Sequence, residues 1–137
     1  MEISVAASPS CLAGLRRAVR ERLEEAPADV VDDLVLAVSE AATNAILYGS
    51  CDAHPVTVTV RVRGGWVEAT VRDQGRPAPR AAAVAGRGGR GLWLMGQLVD
   101  ELRLAKAHPG TLVTLRRRLG DPAPPGELSR GPVARSG

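Results

Sequence analysis

The strictest constraint in this chain is an abrupt change of hydrophobic period. Val56, Val58, Val60 and Val62 alternate with Thr57, Thr59 and Arg61, and after Gly64-Gly65 the residues Val67, Ala69 and Val71 alternate with Trp66, Glu68 and Thr70. Period-two patterning turns one side of each run toward a core, and a two-residue glycine turn joins the runs as an antiparallel hairpin. Before this hairpin the period is helical. Leu12, Leu15, Val19 and Leu23 predict a helix from about 9 to about 25, opened by Ser8 as N-cap and Pro9 in the first turn. Pro27 and Asp29 open a second helix whose apolar stripe runs through Val31, Leu34, Val35, Val38, Ala42 and Ala45, with Gly49 as its C-cap.

The remaining segments complete a two-layer design. Residues 2–7 read as a short strand, and 74–90 as a long loop of the kind that usually carries function. A third helix opens at Leu92 and includes Met95, Leu98 and Val99. Strands at 101–106 and 111–118 follow, joined through Pro109-Gly110. Helical crossovers are too few for a doubly wound parallel sheet. The pattern predicts an α+β two-layer sandwich, a mostly antiparallel sheet of about five strands covered on one face by three helices. The domain spans 1–119, and the Pro/Gly-rich segment 120–137 is expected to be a disordered tail.

Composition narrows the function classes. With no Phe and only 2% aromatics, the core of this 137-residue chain must be aliphatic. The net charge of +3 resides partly in Arg16, Arg17, Arg20 and Arg22, offset by Glu21, Glu24 and Glu25 as on a solvated helix face, and partly in Arg116, Arg117 and Arg118. This charge points only weakly to acidic partners, and the lack of stacking aromatics or a docking motif argues against nucleic acid. No signal pattern and no apolar run near the ~20 residues of a membrane span is present, so a cytoplasmic protein is expected, with no membrane partner. Cys11 and Cys51 lack metal-type spacing and are read as reduced thiols, a disulfide between them being the alternative.

Three polar constellations carry candidate chemistry. Glu40 and Asn44 are one helical turn apart on an otherwise apolar helix. Glu40 reads either as a surface carboxylate or, with Asn44, as a polar strip facing a cleft. Asp73 at the end of the hairpin either starts a turn or accepts a hydrogen bond from an exocyclic amine, with Gly75 letting the backbone approach a flat ring. The cluster Gly86-Arg87-Gly88-Gly89-Arg90-Gly91 satisfies a dinucleotide-binding pattern literally, but it neither follows a strand nor precedes a suitably spaced acid. It reads as a flexible linker or as a phosphate cradle at a helix start, with Arg87 and Arg90 adding charge.

Taken in order, "LAVSEAATNAILYG", "VRDQG", "GGRGLWLMGQLVD" and "GTLVTL" resemble the four boxes of the GHKL (Bergerat) ATP-binding fold over about residues 2–118. The resemblance is nearest to the anti-sigma factor and serine kinase group of bacterial partner-switching systems. It implies Glu40 as general base, Asn44 as the Mg²⁺ ligand and Asp73 as acceptor of the adenine amino group, with Gly75 beneath the ring. It implies phosphate contacts from Gly89, Arg90 and Gly91, with Arg87, Gly88 and Leu92 in the same segment. Thr111 would reach adenine through water, and the 76–88 loop would be an ATP lid. Tyr48 in place of a frequent histidine, Arg76 in place of a frequent glycine and the alanine-rich lid depart from the pattern. The implied activity is that of an ATP- and Mg²⁺-dependent protein serine/threonine kinase. It would act on a STAS-type anti-sigma antagonist, sequester a sigma factor when free, and form a homodimer. The alternative is a non-catalytic ATP-sensing regulator that binds the same class of partner.

Overall fold

The computed structural model describes residues 1–5, 8–49, 55–75, 89–107 and 110–120. In chain order these form β1 (Glu2–Val5), α1 (Leu12–Arg22), α2 (Ala28–Asn44), β2 (Val56–Arg63), β3 (Trp66–Arg72), α3 (Gly89–Leu98), β4 (Glu101–Lys106) and β5 (Thr111–Arg118). A 3-10 turn at Pro9–Cys11 precedes α1, and a π-helical turn at Ala45–Gly49 extends α2. The fold class is the expected one: the described residues form a five-stranded sheet, antiparallel at every pairing, with three helices.

Local chemistry accounts for the boundaries. Ser8 caps the 3-10 turn rather than the α-helix, its carbonyl accepting from Cys11 N–H at 3.0 Å and its hydroxyl from Ser10 N–H at 3.4 Å. Helix α1 also stops at Arg22, earlier than its apolar period suggests. Leu23 N–H is shared between the Val19 and Arg20 carbonyls, and the turn that follows keeps the Leu23 side chain in the core. At the hairpin, Gly64 and Gly65 have φ of 58° and 84°, the paired positive values that match the twist of the flanking strands. The register runs from Arg63 opposite Trp66 to Thr57 opposite Arg72.

The strand order is β1-β2-β3-β5-β4, so β5 lies between β3 and its own hairpin partner. The inner face presents Val56, Val58, Val60, Val67, Ala69, Val71 and Leu115, all buried. Against it pack Leu15 and Val19 of α1, Val30, Leu34, Val38 and Ala42 of α2, and Met95 of α3. Each large aliphatic side chain buried there contributes about 1.5–3 kcal/mol, so this layer contact dominates the stability of the domain. Among the described residues no helix is long and apolar enough to cross a membrane. Cys11 is a free thiol; Cys51, Arg76 and the tail from 121 lie outside the described residues.

The arginine run at 116–118 is divided by the pleat. Arg117 turns toward the helices, where its Nη2 donates to Asp33 at 3.0 Å and lies 3.6 Å from Asp29, while its Nη1 is 3.9 Å from Asp100. Its side chain is 19% exposed. On α1, Arg20 pairs with Asp32 of α2 at 2.9 Å and Arg16 donates to Ser39 at 3.1 Å. These arginines therefore tie α1 to α2, where sequence spacing suggested offset by neighbouring glutamates.

Gly110 closes the β4–β5 turn with φ of 93°, its carbonyl accepting from Ala107 N–H at 2.9 Å. A Cβ there would lie 2.0 Å from the Asp73 carbonyl oxygen, which no side chain can occupy.

Two stability outcomes are expected in urea denaturation. Arg117→Ala should cost about 2 kcal/mol, because three carboxylates lose a partly buried cation, whereas Arg20→Ala, at an exposed pair, should cost under about 0.5 kcal/mol. Gly110→Ala should cost about 2 kcal/mol or more from the left-handed backbone and the collision with Asp73. Equal losses at Arg117 and Arg20, or a neutral Gly110→Ala, would contradict this account.

Candidate functional site

The polar face of α2 and the start of α3 meet at Gly91. A Cβ on Gly91 would lie 3.1 Å from Asn44 Nδ2, 3.6 Å from Asn44 Oδ1 and 3.6 Å from Glu40 Oε1. Glycine there lets the first turn of α3 approach both side chains closely. It also accounts for a difference from the sequence expectation: α3 begins at Gly89 rather than Leu92. Gly in a helix interior costs up to about 1 kcal/mol relative to Ala, but here a Cβ would force the Asn44 side chain to give way by a few tenths of an ångström. Leu92 is partly buried against the core and anchors that turn.

Glu40 and Asn44 are themselves partly buried, one helical turn apart, with Ala37, Ala41 and Ala45 buried around them. The pair is thus not on an open surface but faces the start of α3. The N–H groups of a helix's first turn have no intrahelical acceptor, and the helix dipole adds positive potential there. Glu40, Asn44 and an electropositive helix start accordingly share one locus. Ser39, next to Glu40, is 9% exposed and held from two sides: its hydroxyl accepts from Arg16, and its carbonyl accepts from the Thr43 hydroxyl at 2.7 Å.

A second constellation forms at the end of β3. Asp73 is 7% exposed. Its Oδ1 accepts from Gly75 N–H at 2.9 Å and from Thr111 N–H at 3.1 Å, and its own N–H donates to the Thr111 carbonyl at 3.1 Å. The turn reading of Asp73 is the one observed. It does make an Asx-type turn with Gly75, whose φ is 87°, and it is also a buried carboxylate clamped to the neighbouring strand. Two backbone N–H donors hold its Oδ1 in place.

Of the other expected site residues, Arg87 and Gly88 lie outside the described residues, as does the 76–88 loop. Gly89 and Arg90 form the first residues of α3, and the Arg90 side chain is outside what is described, as is that of Tyr48. Gly110, a turn residue and the first of the "GTLVTL" box, had no site role of its own in the sequence; its contact with Asp73 adds it to the site. Its signal was the Gly-Thr pair, which places a residue without a side chain directly before Thr111. Among the described residues no group of three or more His, Cys, Asp or Glu could hold a metal ion.

The fold has counterparts. The domain shares 29% identity over 86% of its length with a crystal structure of the RsbU and RsbW domains of Rv1364c from Mycobacterium tuberculosis, covering 32% of that chain with a TM-score of 0.69. A blue-light-activated histidine kinase of Erythrobacter litoralis matches at 28% identity, covering 68% of this chain and 34% of that one, with a TM-score of 0.53. The histidine kinase domain of that kinase shares the fold at 24% identity and a TM-score of 0.58, with coverage of 83% and 61%. The chain thus spans between about a third and three fifths of the proteins it matches. The sequence pattern described as histidine kinase-like ATPase domain matches residues 5–117, which hold both constellations. The chain belongs to the histidine kinase-like ATPase (GHKL) family.

Proposed function

We propose that this domain binds ATP with Mg²⁺ and transfers the γ-phosphoryl group to a serine or threonine of a partner protein, acting in a partner-switching system that regulates transcription. The partner would be a STAS-type anti-sigma antagonist, and the unphosphorylated antagonist would compete with a sigma factor for the domain. The observation that carries the reading is the convergence of Glu40 and Asn44 on Gly91 at the start of α3. A pure binding module has no need of a carboxylate at that place. The neighbour containing an RsbW domain supports the partner-switching assignment, and family membership supports nucleotide binding.

The residue roles proposed here draw on the geometry and on the family pattern. Asp73, its Oδ1 held by the Gly75 and Thr111 N–H groups, would accept the adenine amino group. Gly75 would leave room for the ring, and Thr111 would complete the pocket through water. An amide oxygen and a carboxylate, hard donors of the kind Mg²⁺ takes, stand beside the N-terminal turn of α3, so the residues present fit a metal-bound phosphate. Asn44 would be the ligand for Mg²⁺, which when bound would neutralise phosphate charge. The N–H groups of Gly89, Arg90 and Gly91 would receive phosphate oxygens, with Arg87, Gly88 and Leu92 in the same segment. Glu40 would accept the proton of the attacking hydroxyl as its oxygen bonds to phosphorus and the bond to the ADP oxygen breaks. Phosphoryl transfer depends mainly on such positioning and charge neutralisation, which these groups can provide.

The test is phosphotransfer from radiolabelled ATP to a STAS-type antagonist, compared between the wild type and Glu40→Ala. The variant is expected to keep nucleotide affinity and to lose roughly 10²–10⁴-fold in transfer rate. Unchanged transfer would remove Glu40 from the role of base. Tight ATP binding with no transfer by the wild type would make the domain a nucleotide-sensing regulator.

A further inference from the structure

The helices cover one face of the sheet; on the other, no described element packs, and the registers assemble a compact basic corner. Arg63, Trp66 and Arg118 form one row across β2, β3 and β5, and Arg61, Glu68, Arg116 and Glu101 form the next. The Arg116 guanidinium lies 4.2 Å from the Trp66 ring centroid and that of Arg118 lies 5.1 Å away. Arg116 also donates to Glu101 at 2.8 Å and is 4.0 Å from Glu68. Among the described residues the guanidinium groups of the exposed Arg61, Arg63 and Arg118 have no carboxylate partner; the Asp100 carboxylate accepts only from the Arg118 backbone N–H, at 2.7 Å. Between the rows lies a cavity of about 130 Å³ lined by Arg61, Arg63, Trp66, Glu68 and Arg116.

We propose that this corner is a docking surface for an acidic peptide segment of a partner protein. The proposal does not rest on the nucleotide-site reading, because the corner is on the face of the sheet turned away from the helices. Charge selects the occupant. Four arginines face two glutamates here, so two copies of the corner brought face to face would repel each other. Nucleic acid is disfavoured by two features. Glu68 and Glu101 interrupt any continuous track for phosphates, and the face of Trp66 is already covered by arginine, which removes a stacking platform. A peptide carboxylate, in contrast, can be held by an arginine fork at each point. Arg61 and Arg63 are alternate residues of one strand, about 7 Å apart, which matches alternate side chains of an extended peptide. Arg116 is held over Trp66 by Glu101 and Glu68, giving the corner a rigid floor at no ordering cost on binding.

The probe is a fluorescein-labelled peptide of alternating aspartate and serine, titrated by anisotropy at physiological ionic strength. Two double variants carry the same charge change: Arg61→Glu with Arg63→Glu at the corner, and Arg17→Glu with Arg22→Glu on exposed α1. Thermal unfolding by circular dichroism checks that both are folded, and none of the four side chains has a described ion pair to lose. The corner variant is expected to bind at least about tenfold more weakly, while the α1 variant stays within about twofold of wild type. Absence of binding by the wild type, or equal loss in both variants, overturns the proposal. An oligonucleotide of equal charge that displaces the peptide with higher affinity would make the surface a nucleic-acid site. A wild-type dimer in sedimentation velocity that the corner variant abolishes would make it a self-association face.

Discussion

Helix α2 buries Val30, Leu34, Val38 and Ala42 against the inner face of β3 and β5, and that contact decides where its polar residues can be. Once the apolar stripe is committed to the sheet, Glu40 and Asn44 have one remaining direction, the flank against which α3 packs. Rotation of α2 would expose large aliphatics at about 1.5–3 kcal/mol each, more than any single polar contact in the site could return. Arg117 reinforces the same orientation from below, its guanidinium gathering Asp29 and Asp33 of α2. The site is therefore positioned by packing and only adjusted by its hydrogen bonds.

Much of this was legible because local signals agreed. Val56–Val62 and Val67–Val71 alternate strictly about a Gly-Gly turn, and no helix can satisfy that period. The pairing of Glu40 with Asn44 followed from helical spacing alone. What could not be read depended on contacts distant in sequence. Gly110 and Asp73 meet only because β5 is inserted between β3 and β4, and no turn signal encodes that order. For the same reason the arginines at 116–118 looked like one basic run. The pleat sends Arg117 to a carboxylate cluster and Arg116 with Arg118 to the Trp66 ring on the opposite face.

The glycine-rich segment illustrates the limit from the other side. Its pattern suggested a helix opening at Leu92, since glycine is a poor helix former. The helix in fact starts at Gly89, because the first turn must pass within van der Waals contact of Asn44. A residue chosen for what it leaves out gives a propensity scale the wrong information. Gly110 and Gly91 share that property: each is small where two elements meet, one at Asp73 and the other at Glu40 and Asn44.

The account stands or falls on whether the clamped carboxylate at the end of β3 reads a nucleotide. Calorimetric titration of Mg-ATP into the wild type and into Asp73→Asn tests this most directly. An asparagine keeps the size of the side chain but places an amide where a charged acceptor is required. Wild-type binding that the variant loses by at least about tenfold would agree with the assignment of Asp73. Equal affinity in the two proteins, with the variant folded, would contradict it.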